Sequence, residues 1–270
     1  MRRPYHLFKY ENSGEENFTN IAHRGASAYY PENTMAAFEA AIELGADMIE
    51  FDVQLAKCGE VVVFHDEKLS RCTDGQGRLS DHSVSELKKL DAGCWFGKKF
   101  KNEKIPTLRE SLELCRDKIA VNIEIKTEAV TDKAAGGIEE KCLKIAEQSS
   151  MKEHIIFSSF DPRAIKHLRA IDKSAAVAVL FKEKYYGKTL PSRIINLTGA
   201  DCFNCKKKEL SLEWINDLRK NNISVNIYTI DDEKQMRLLM EWGVNGIFTN
   251  RPDVLKKAAE NFFRSINDSN

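Results

Sequence analysis

Several features that would place the chain in a special class are missing from its 270 residues. Lysine and arginine together number 41, and so do aspartate and glutamate, so the chain lacks the positive excess typical of nucleic-acid-binding proteins. The longest purely apolar run, residues 175–181, is far shorter than the ~20 residues needed to span a bilayer. We therefore expect neither a nucleic-acid partner nor a transmembrane segment.

Cysteines at paired spacing are also scarce. The chain has seven, an odd number, and only Cys202 and Cys205 stand at a spacing used by metal and redox sites. No second pair and no histidine pair accompanies them, so we expect two ordinary thiols near a strand end. Residues 2 and 3 are arginines, but Lys9 and Glu11 follow instead of the apolar stretch of a signal peptide. These features predict a cytoplasmic protein.

What the chain does have is an ordinary globular composition, with 42% hydrophobic and 30% charged residues, which excludes overall disorder. Short β-branched runs alternate with longer amphipathic stretches. The predicted strands are 20–22, 48–54, 119–126, 155–158, 176–181, 201–204, 224–229 and 246–249. Eight strands, each followed by a helix, predict an α/β fold, a (β/α)₈ TIM barrel that forms one domain over residues 1–270.

Capping residues mark the starts of the predicted helices. Asn33 is the expected cap of the helix after the first strand. Asp161, followed by Pro162, is expected to open the helix after residues 155–158.

The alternation of strands and helices is interrupted once. After a further strand-like run at 61–64, residues 65–106 precede the next helix of the barrel, and they include Trp95, Phe96 and Phe100. Loops of that length are usually functional or an inserted subdomain. We expect a small insertion, residues 66–105, after the second barrel strand, closing over the top of the barrel.

Acidic residues stand at predicted strand ends, where a barrel of this type carries its active site. Glu50 and Asp52 alternate along one strand, and Glu124 and Lys126 along another, so each pair points to one face. That face is expected to be the barrel interior, where isolated carboxylates are costly. A salt-bridge network with Lys126 is one explanation, but one lysine cannot offset three acids. A hard divalent cation held by Glu50, Asp52 and Glu124, with a bound anion, explains the pattern better.

His23 and His65 each follow a predicted strand close to these acids. A lone histidine at a strand end is often structural, but imidazole titrates near neutrality and two of them can serve as base and acid. Arg24, beside His23, has the fork geometry that suits phosphate oxygens. The residues thus predict a metal-dependent enzyme that acts on a phosphate-bearing substrate.

A series of short motifs occurs along residues 20–255 in a specific order and spacing. They are His23-Arg24-Gly25-Ala26, Pro31-Glu32-Asn33-Thr34, Gly45-Ala46-Asp47, Glu50-Phe51-Asp52-Val53, His65-Asp66, Leu69-Ser70-Arg71, Gly75-Gln76-Gly77, Ile105-Pro106-Thr107-Leu108, Glu124-Ile125-Lys126, Ser159-Phe160-Asp161-Pro162, Tyr228-Thr229 and Gly246-Ile247-Phe248-Thr249-Asn250-Arg251-Pro252. With these motifs the chain resembles the glycerophosphodiester phosphodiesterase family.

The resemblance implies a (β/α)₈ barrel with a small insertion, and hydrolysis of glycerophosphodiesters to glycerol 3-phosphate and an alcohol. It implies a divalent cation, Mg²⁺ or Ca²⁺. The family's metal carboxylates fall on Glu50, Asp52 and Glu124, and its catalytic histidines on His23 and His65. We expect His23 to act as the base.

Four further positions follow from the same resemblance. Arg24 and Lys126 match residues that contact the phosphate. Phe160 and Tyr228 match substrate-binding positions, although tryptophan is the usual residue at the latter. Asn250 stands where aspartate is common in the family, and we expect this residue to contact neither the metal nor the histidines.

Two other functions stay open at this point. A lysophospholipase D-type relative would need an apolar rim, which Trp95, Phe96 and Phe100 could supply, although such aromatics more often form an insertion's own core. A non-catalytic barrel that binds phosphate ligands should have lost a histidine or a carboxylate, and this chain keeps them all. The alcohol, the choice between Mg²⁺ and Ca²⁺, and the oligomeric state are left open by the sequence.

Overall fold

The computed structural model of the protein describes residues 18–267, and within them eight parallel strands close into a barrel. The strands are β1 Thr19–His23, β2 Met48–Leu55, β3 Val61–Val63, β4 Ala120–Ile125, β5 Ile155–Ser159, β6 Ala176–Leu180, β7 Cys202–Lys206, β8 Ser224–Tyr228 and β9 Gly246–Thr249. Closure comes from β1, which pairs with both β2 and β9. The short β3 is antiparallel to β2 and lies outside the barrel. The predicted TIM barrel is confirmed.

Helices lie between the strands, as the alternating pattern predicts. They are α1 Met35–Glu43, α2 Val84–Leu87, α3 Leu108–Cys115, α4 Ile138–Gln148, α5 Pro162–Ile171, α6 Glu183–Tyr186, α7 Pro191–Thr198, α8 Leu212–Lys220, α9 Glu233–Glu241 and α10 Pro252–Asn267. Asp161 caps α5 with Pro162 in the first turn, as predicted. None of these helices is long and apolar enough to cross a membrane.

One predicted cap is wrong. Thr34, not Asn33, caps α1, because its hydroxyl accepts the hydrogen bond from the Ala37 backbone N–H. Asn33 adopts a left-handed conformation with φ of 58°. Its amide donates to Asp52 Oδ2 over 2.9 Å, so this side chain contacts an acid of the barrel interior and is not free to cap the helix.

The barrel interior is built in layers because side chains alternate along each strand. Its lower part is filled by Ile21, Met48, Ala120, Ile156, Ala178, Cys202 and Phe248. Two residues further along these strands come His23, Glu50, Asn122, Ser158, Asn204 and Asn250. One more step leads to Asp52, Glu124, Phe160 and Lys206. Polar side chains therefore collect at the carboxyl ends of the strands, an end here called the mouth.

The insertion after the second barrel strand is confirmed as a structural feature. Between β3 and α3 the chain forms short turns and α2, which pack around a separate apolar cluster of Ala56, Val62, Phe64, Leu69, Cys72, Leu79, Leu87, Ala92 and Ile105. Phe100 is buried and packs against Tyr30, with ring centroids 5.2 Å apart. Trp95 is exposed, and its ring N–H donates to the Ala92 carbonyl. These aromatics therefore pack chiefly within the insertion and on its neighbours.

The two cysteines at paired spacing lie on opposite faces of β7. Cys202 lies in the barrel interior, whereas Cys205 faces the layer between strands and helices, so the two thiols cannot bind one metal ion.

The location of the protein is not settled by the fold. The expectation of no signal peptide concerns residues 2–11, which lie outside the described part of the chain. Cytoplasmic location stays a prediction.

Candidate active site

Three carboxylates converge at the mouth. One oxygen each from Glu50, Asp52 and Glu124 lies within 4.8 Å of the other two. Burial, reinforced by the neighbouring Asp52, raises the pKa of Glu50 well above its ordinary value. Burial also raises the pKa of Glu124, with Lys126 opposing it. For Asp52, burial alone would raise the pKa, but Lys126 and Arg24 hold it below its usual range.

Two cations accompany these carboxylates. Lys126 Nζ lies 2.8 Å from Glu124 Oε1 and 3.2 Å from Asp52 Oδ1. Arg24 Nε lies 3.4 Å from Asp52 Oδ2, and the Arg24 backbone N–H donates to Glu50 Oε2 over 3.0 Å. A salt-bridge network is therefore present, but two cations do not neutralise three carboxylates.

The donor set fits a hard divalent cation. All three side chains offer carboxylate oxygens, the ligands that Mg²⁺ and Ca²⁺ prefer. Asp52 Oδ1 is buried, and among residues 18–267 it accepts no hydrogen bond of good geometry, although Lys126 Nζ lies 3.2 Å away. A buried carboxylate oxygen without a well-aligned hydrogen bond is costly, so an additional positive charge at this point would be stabilising.

The turn after β1 directs Arg24 into this cluster. Arg24 and Gly25 both have positive φ, 57° and 82°. A Cβ on Gly25 would lie 2.6 Å from the Ala37 carbonyl oxygen, so only glycine fits between this turn and α1. The guanidinium of Arg24 then reaches both Asp52 and Glu32, the latter over 2.8 Å.

His23 is held by Asn250. His23 Nδ1 lies 2.8 Å from Asn250 Oδ1, and Asn250 Nδ2 donates to Asp231 Oδ2 over 2.6 Å. Because the Asp231 carboxylate accepts hydrogen bonds, the amide nitrogen of Asn250 faces it and the amide oxygen faces the ring. His23 Nδ1 therefore carries a proton, and Nε2 is the free base. Burial, followed by the charge of Arg24, lowers the pKa of His23 to about 4.

This contact corrects the expectation for Asn250. The sequence predicted that its departure from the common aspartate would not touch the histidines, whereas it bonds directly to one of them. Asn250 begins the loop after β9, and β9 is the neighbour of β1 in the barrel, so closure of the barrel brings the two residues together.

His65 has a charged partner instead. Its Nδ1 lies 2.5 Å from Asp66 Oδ1. Arg71, in the insertion, donates to Asp66 and also to Glu32. The hydrogen bond from Arg71, and more weakly that from His65, holds the pKa of Asp66 at about 2 against the effect of its partial burial. The Asp66 carboxylate therefore fixes the orientation of the His65 ring.

Phe160 and Tyr228 lie together at the mouth. Their rings are perpendicular, with centroids 5.9 Å apart. The Tyr228 hydroxyl donates to the Phe181 carbonyl over 3.3 Å, and burial raises the pKa of Tyr228. The predicted phosphate and substrate residues, Arg24, Lys126, Phe160 and Tyr228, all stand at the same end of the barrel as the acids.

Sequence reasoning missed five residues that support this site: Glu32, Asn33, Arg71, Asp231 and Asn250. Four of them lie within the motifs quoted above, so their presence was visible but their roles were not. Arg71 belongs to the insertion and Asp231 to the loop after β8, and no strand or helix period connects either of them with the acids.

The geometry agrees with the comparison of the whole chain with known proteins. A family model described as glycerophosphoryl diester phosphodiesterase family matches residues 23–254. The chain belongs to this family. It is an enzyme, a phosphoric diester hydrolase. A curated relative from Caldanaerobacter subterraneus subsp. tengcongensis, named glycerophosphodiester phosphodiesterase, is 39% identical over 236 residues, which are 87% of this chain and 95% of the relative.

Solved structures share the fold and much of the length. A glycerophosphodiester phosphodiesterase from Agrobacterium tumefaciens superposes with a TM-score of 0.77 at 29% identity, over 88% of this chain and 98% of that one. A phosphodiesterase from Oleispira antarctica, solved in complex with the product sn-glycerol-3-phosphate, has a TM-score of 0.77 at 29% identity, over 89% of this chain and 96% of that one.

Proposed function

We propose that this enzyme hydrolyses glycerophosphodiesters to glycerol 3-phosphate and an alcohol, using one divalent cation, Mg²⁺ or Ca²⁺. The observation that carries the proposal is the convergence of Glu50, Asp52 and Glu124 at the mouth, within reach of one ion. The family membership of the chain and the product bound to the Oleispira antarctica relative support the same reaction.

The cation would be held by the three carboxylates. When bound, it would neutralise the phosphate and lower the pKa of a coordinated hydroxyl. Arg24 and Lys126 stand beside the same carboxylates and would bind the phosphoryl oxygens, where charge increases in the transition state. Phe160 and Tyr228, whose rings are in contact at the mouth, would line the path of the substrate.

The two histidines have partners that suit different roles. His23 is neutral at physiological pH, with its Nε2 lone pair free, so it would remove the proton of the nucleophile. His65 is held through Nδ1 by the Asp66 carboxylate, which orients its ring, so it would donate a proton to the leaving alcohol. The structure thereby supports the sequence-based expectation that His23 is the base.

The nucleophile would be the substrate's own glycerol 2-hydroxyl, as the family resemblance suggests. This oxygen forms a bond to phosphorus while the bond to the alcohol breaks, giving a cyclic phosphate and the free alcohol. Water then opens the cyclic phosphate to glycerol 3-phosphate. An intramolecular nucleophile of this kind can have an effective molarity of about 10⁵–10⁸ M.

A glycerophosphocholine analogue whose 2-hydroxyl is replaced by hydrogen tests this route. Glycerol 3-phosphate release from the parent substrate, followed by mass spectrometry, tests the reaction itself. We expect the analogue to inhibit competitively but to turn over roughly 10³-fold more slowly or worse, because the intramolecular attack is lost. Cleavage of the analogue within a few-fold of the parent rate would exclude the cyclic route, and no cleavage of the parent would contradict the proposed function.

A further inference from the structure

The wall of the mouth opposite the acids carries unpaired positive charge. Ala178 of β6 and Cys202 of β7 face inward, and so does every second residue after them along each strand. The second such position after each is a lysine, Lys182 or Lys206, and it stands where the strand ends. Lys182 Nζ lies 5.9 Å from the centre of the Phe160 ring, which places this amine beside the substrate path. In the described part of the chain, no carboxylate lies within 4.0 Å of either amine.

A cavity of about 630 Å³ opens beside Lys206. It is lined by Lys206, Lys207, Lys208, Tyr228, Thr229, Ile230 and Gln235. Lys206 and Tyr228 are partners in the register of β7 and β8, so the cavity adjoins the aromatic pair of the active site on the β7–β8 side of the barrel. Lys207 Nζ donates to Gln235 Oε1 over 3.2 Å, which fixes one amine on the cavity wall.

The charge of this cavity is positive overall. Glu209 is the acidic residue next to the three lysines, and its carboxylate is engaged by the Lys206 backbone N–H over 2.8 Å. Three lysines thus line the cavity, and in the described part of the chain no acidic residue is among its lining residues. Like charges gathered in one cavity repel one another, and this repulsion is relieved when an anion binds.

The parts of the substrate that the active site already accommodates do not explain this charge. The scissile phosphate lies with Arg24, Lys126 and the cation at the acidic wall, and the glycerol group is neutral and small. The remaining part is the alcohol. We propose that the cavity of Lys206, Lys207 and Lys208 binds an anionic group, a phosphate or a carboxylate, on the alcohol portion of the substrate. This inference rests on the proposed function and makes diesters of an anionic alcohol the preferred substrates.

Three glycerophosphodiesters with the same scissile bond test the inference. Their alcohols are glycerol 3-phosphate, glycerol and choline, which are anionic, neutral and cationic. The full-length enzyme is assayed with added metal, together with Lys206→Ala, the double variant Lys206→Ala/Lys207→Ala, and the control Lys184→Ala. Lys184 lies at the same end of the barrel, but its amine rests 5.7 Å from the Tyr185 ring centre and is not part of the cavity wall.

The measured quantity is the ratio of kcat/KM for the anionic diester to kcat/KM for the choline diester. We expect the wild type to favour the anionic diester, and the ratio to fall roughly fivefold in Lys206→Ala and more than tenfold in the double variant, as for exposed ion pairs. The change should reside in KM, because the lysines contact a group that does not react. Lys184→Ala should keep the wild-type ratio.

Two results would overturn the inference while the proposed function stands. One is an unchanged ratio in both cavity variants. The other is an equal loss with all three diesters, which would mean that the lysines attract any phosphodiester. If the wild type hydrolysed none of the three, the proposed function would fail and the inference with it.

Discussion

Asn250 shows how a single amide can fix the proton on a neighbouring ring. Its nitrogen is held by Asp231, so its oxygen must accept the hydrogen bond from His23 Nδ1. Replacing the amide with the two methyl groups of leucine would release the ring and allow the proton to move to Nε2, where it blocks the base. The effect of Asn250 on catalysis would therefore pass through His23.

We expect Asn250→Leu to lower kcat roughly ten- to hundredfold, a part of the 10²–10⁴-fold contribution typical of a general base. KM should change far less, because the amide does not touch the substrate. Asn250→Asp keeps an acceptor oxygen for His23 Nδ1, although its second oxygen then faces the Asp231 carboxylate, so it should retain more of kcat than Asn250→Leu. Steady-state kinetics of the three proteins checks this, and a near-normal kcat in Asn250→Leu would contradict the role of the amide.

The buried ring of His23 also makes stability depend on pH. Its pKa is about 4 in the folded protein because of burial and Arg24, against an ordinary value of 6.5. Between pH 6.5 and 4 the unfolded chain therefore binds a proton that the folded chain does not. The free energy of unfolding falls as the pH is lowered through this window, by up to about 3 kcal/mol for this one group.

Urea unfolding of the metal-free protein at several pH values between 4 and 6.5 tests this linkage. Wild type should lose more stability across the window than His23→Gln, which cannot titrate at this position. The other titrating groups are shared by both proteins and cancel in the difference. Equal pH dependence in the two proteins would show that His23 does not lose its proton on folding.

At the scale of the elements, the turn between β1 and α1 is the most constrained segment of the site. Gly25 combines a φ of 82° with a close approach to the Ala37 carbonyl. Gly136 has a similar φ of 74°, but a Cβ there would meet nothing within 4 Å. Alanine at Gly136 would therefore be destabilising only through its backbone conformation, whereas alanine at Gly25 would also overlap with the Ala37 carbonyl.

We expect Gly25→Ala to lower the free energy of unfolding by roughly 3 kcal/mol, the sum of a left-handed alanine and an overlap with backbone. Gly136→Ala should cost only about 1 kcal/mol, for the conformation alone. Denaturant titration of both variants provides the measurement. Equal losses in the two would mean that the turn can move away from α1.

Elements with a regular period could be predicted from the sequence, and those fixed by tertiary contacts could not. Alternation along β2 and β4 placed Glu50, Asp52 and Glu124 on the inner face, because a strand allows only two orientations. The cap of α1 was misassigned because Asn33 and Thr34 are both good caps, and only the contact of Asn33 with Asp52 decides between them. The position of Arg71 relative to the site could not be predicted, because the insertion lacks the regular spacing of apolar residues that marks strands and helices.

On the scale of the whole molecule, the mouth of the barrel has two differently charged walls. The acidic wall comes from β2 and β4, and the lysines follow β6 and β7, on the far side of the closed sheet. Such a division would orient a substrate that carries charge at two points. The organisation of residues 1–270 as one domain and the cytoplasmic location stay predictions, since neither follows from the closure of the barrel.

At the same scale, we expect the reaction at the mouth to depend on a bound metal ion. If Glu50, Asp52 and Glu124 hold the cation, loss of one carboxylate weakens its binding, because the ion then has fewer charged ligands. Glu50→Gln keeps the size of the side chain and removes the charge. Glu128→Gln, at an exposed position just beyond Lys126, is a matched control with the same chemical change.

The most direct measurement is the release of glycerol 3-phosphate from glycerophosphocholine by wild type, Glu50→Gln and Glu128→Gln, first in EDTA and then during titration with Mg²⁺ or Ca²⁺. Wild type and Glu128→Gln should be inactive in EDTA and regain full activity with one of the ions. Glu50→Gln should stay at least about 10²-fold below them at any metal concentration. Full activity of the wild type in EDTA, or full recovery of Glu50→Gln, would contradict the account.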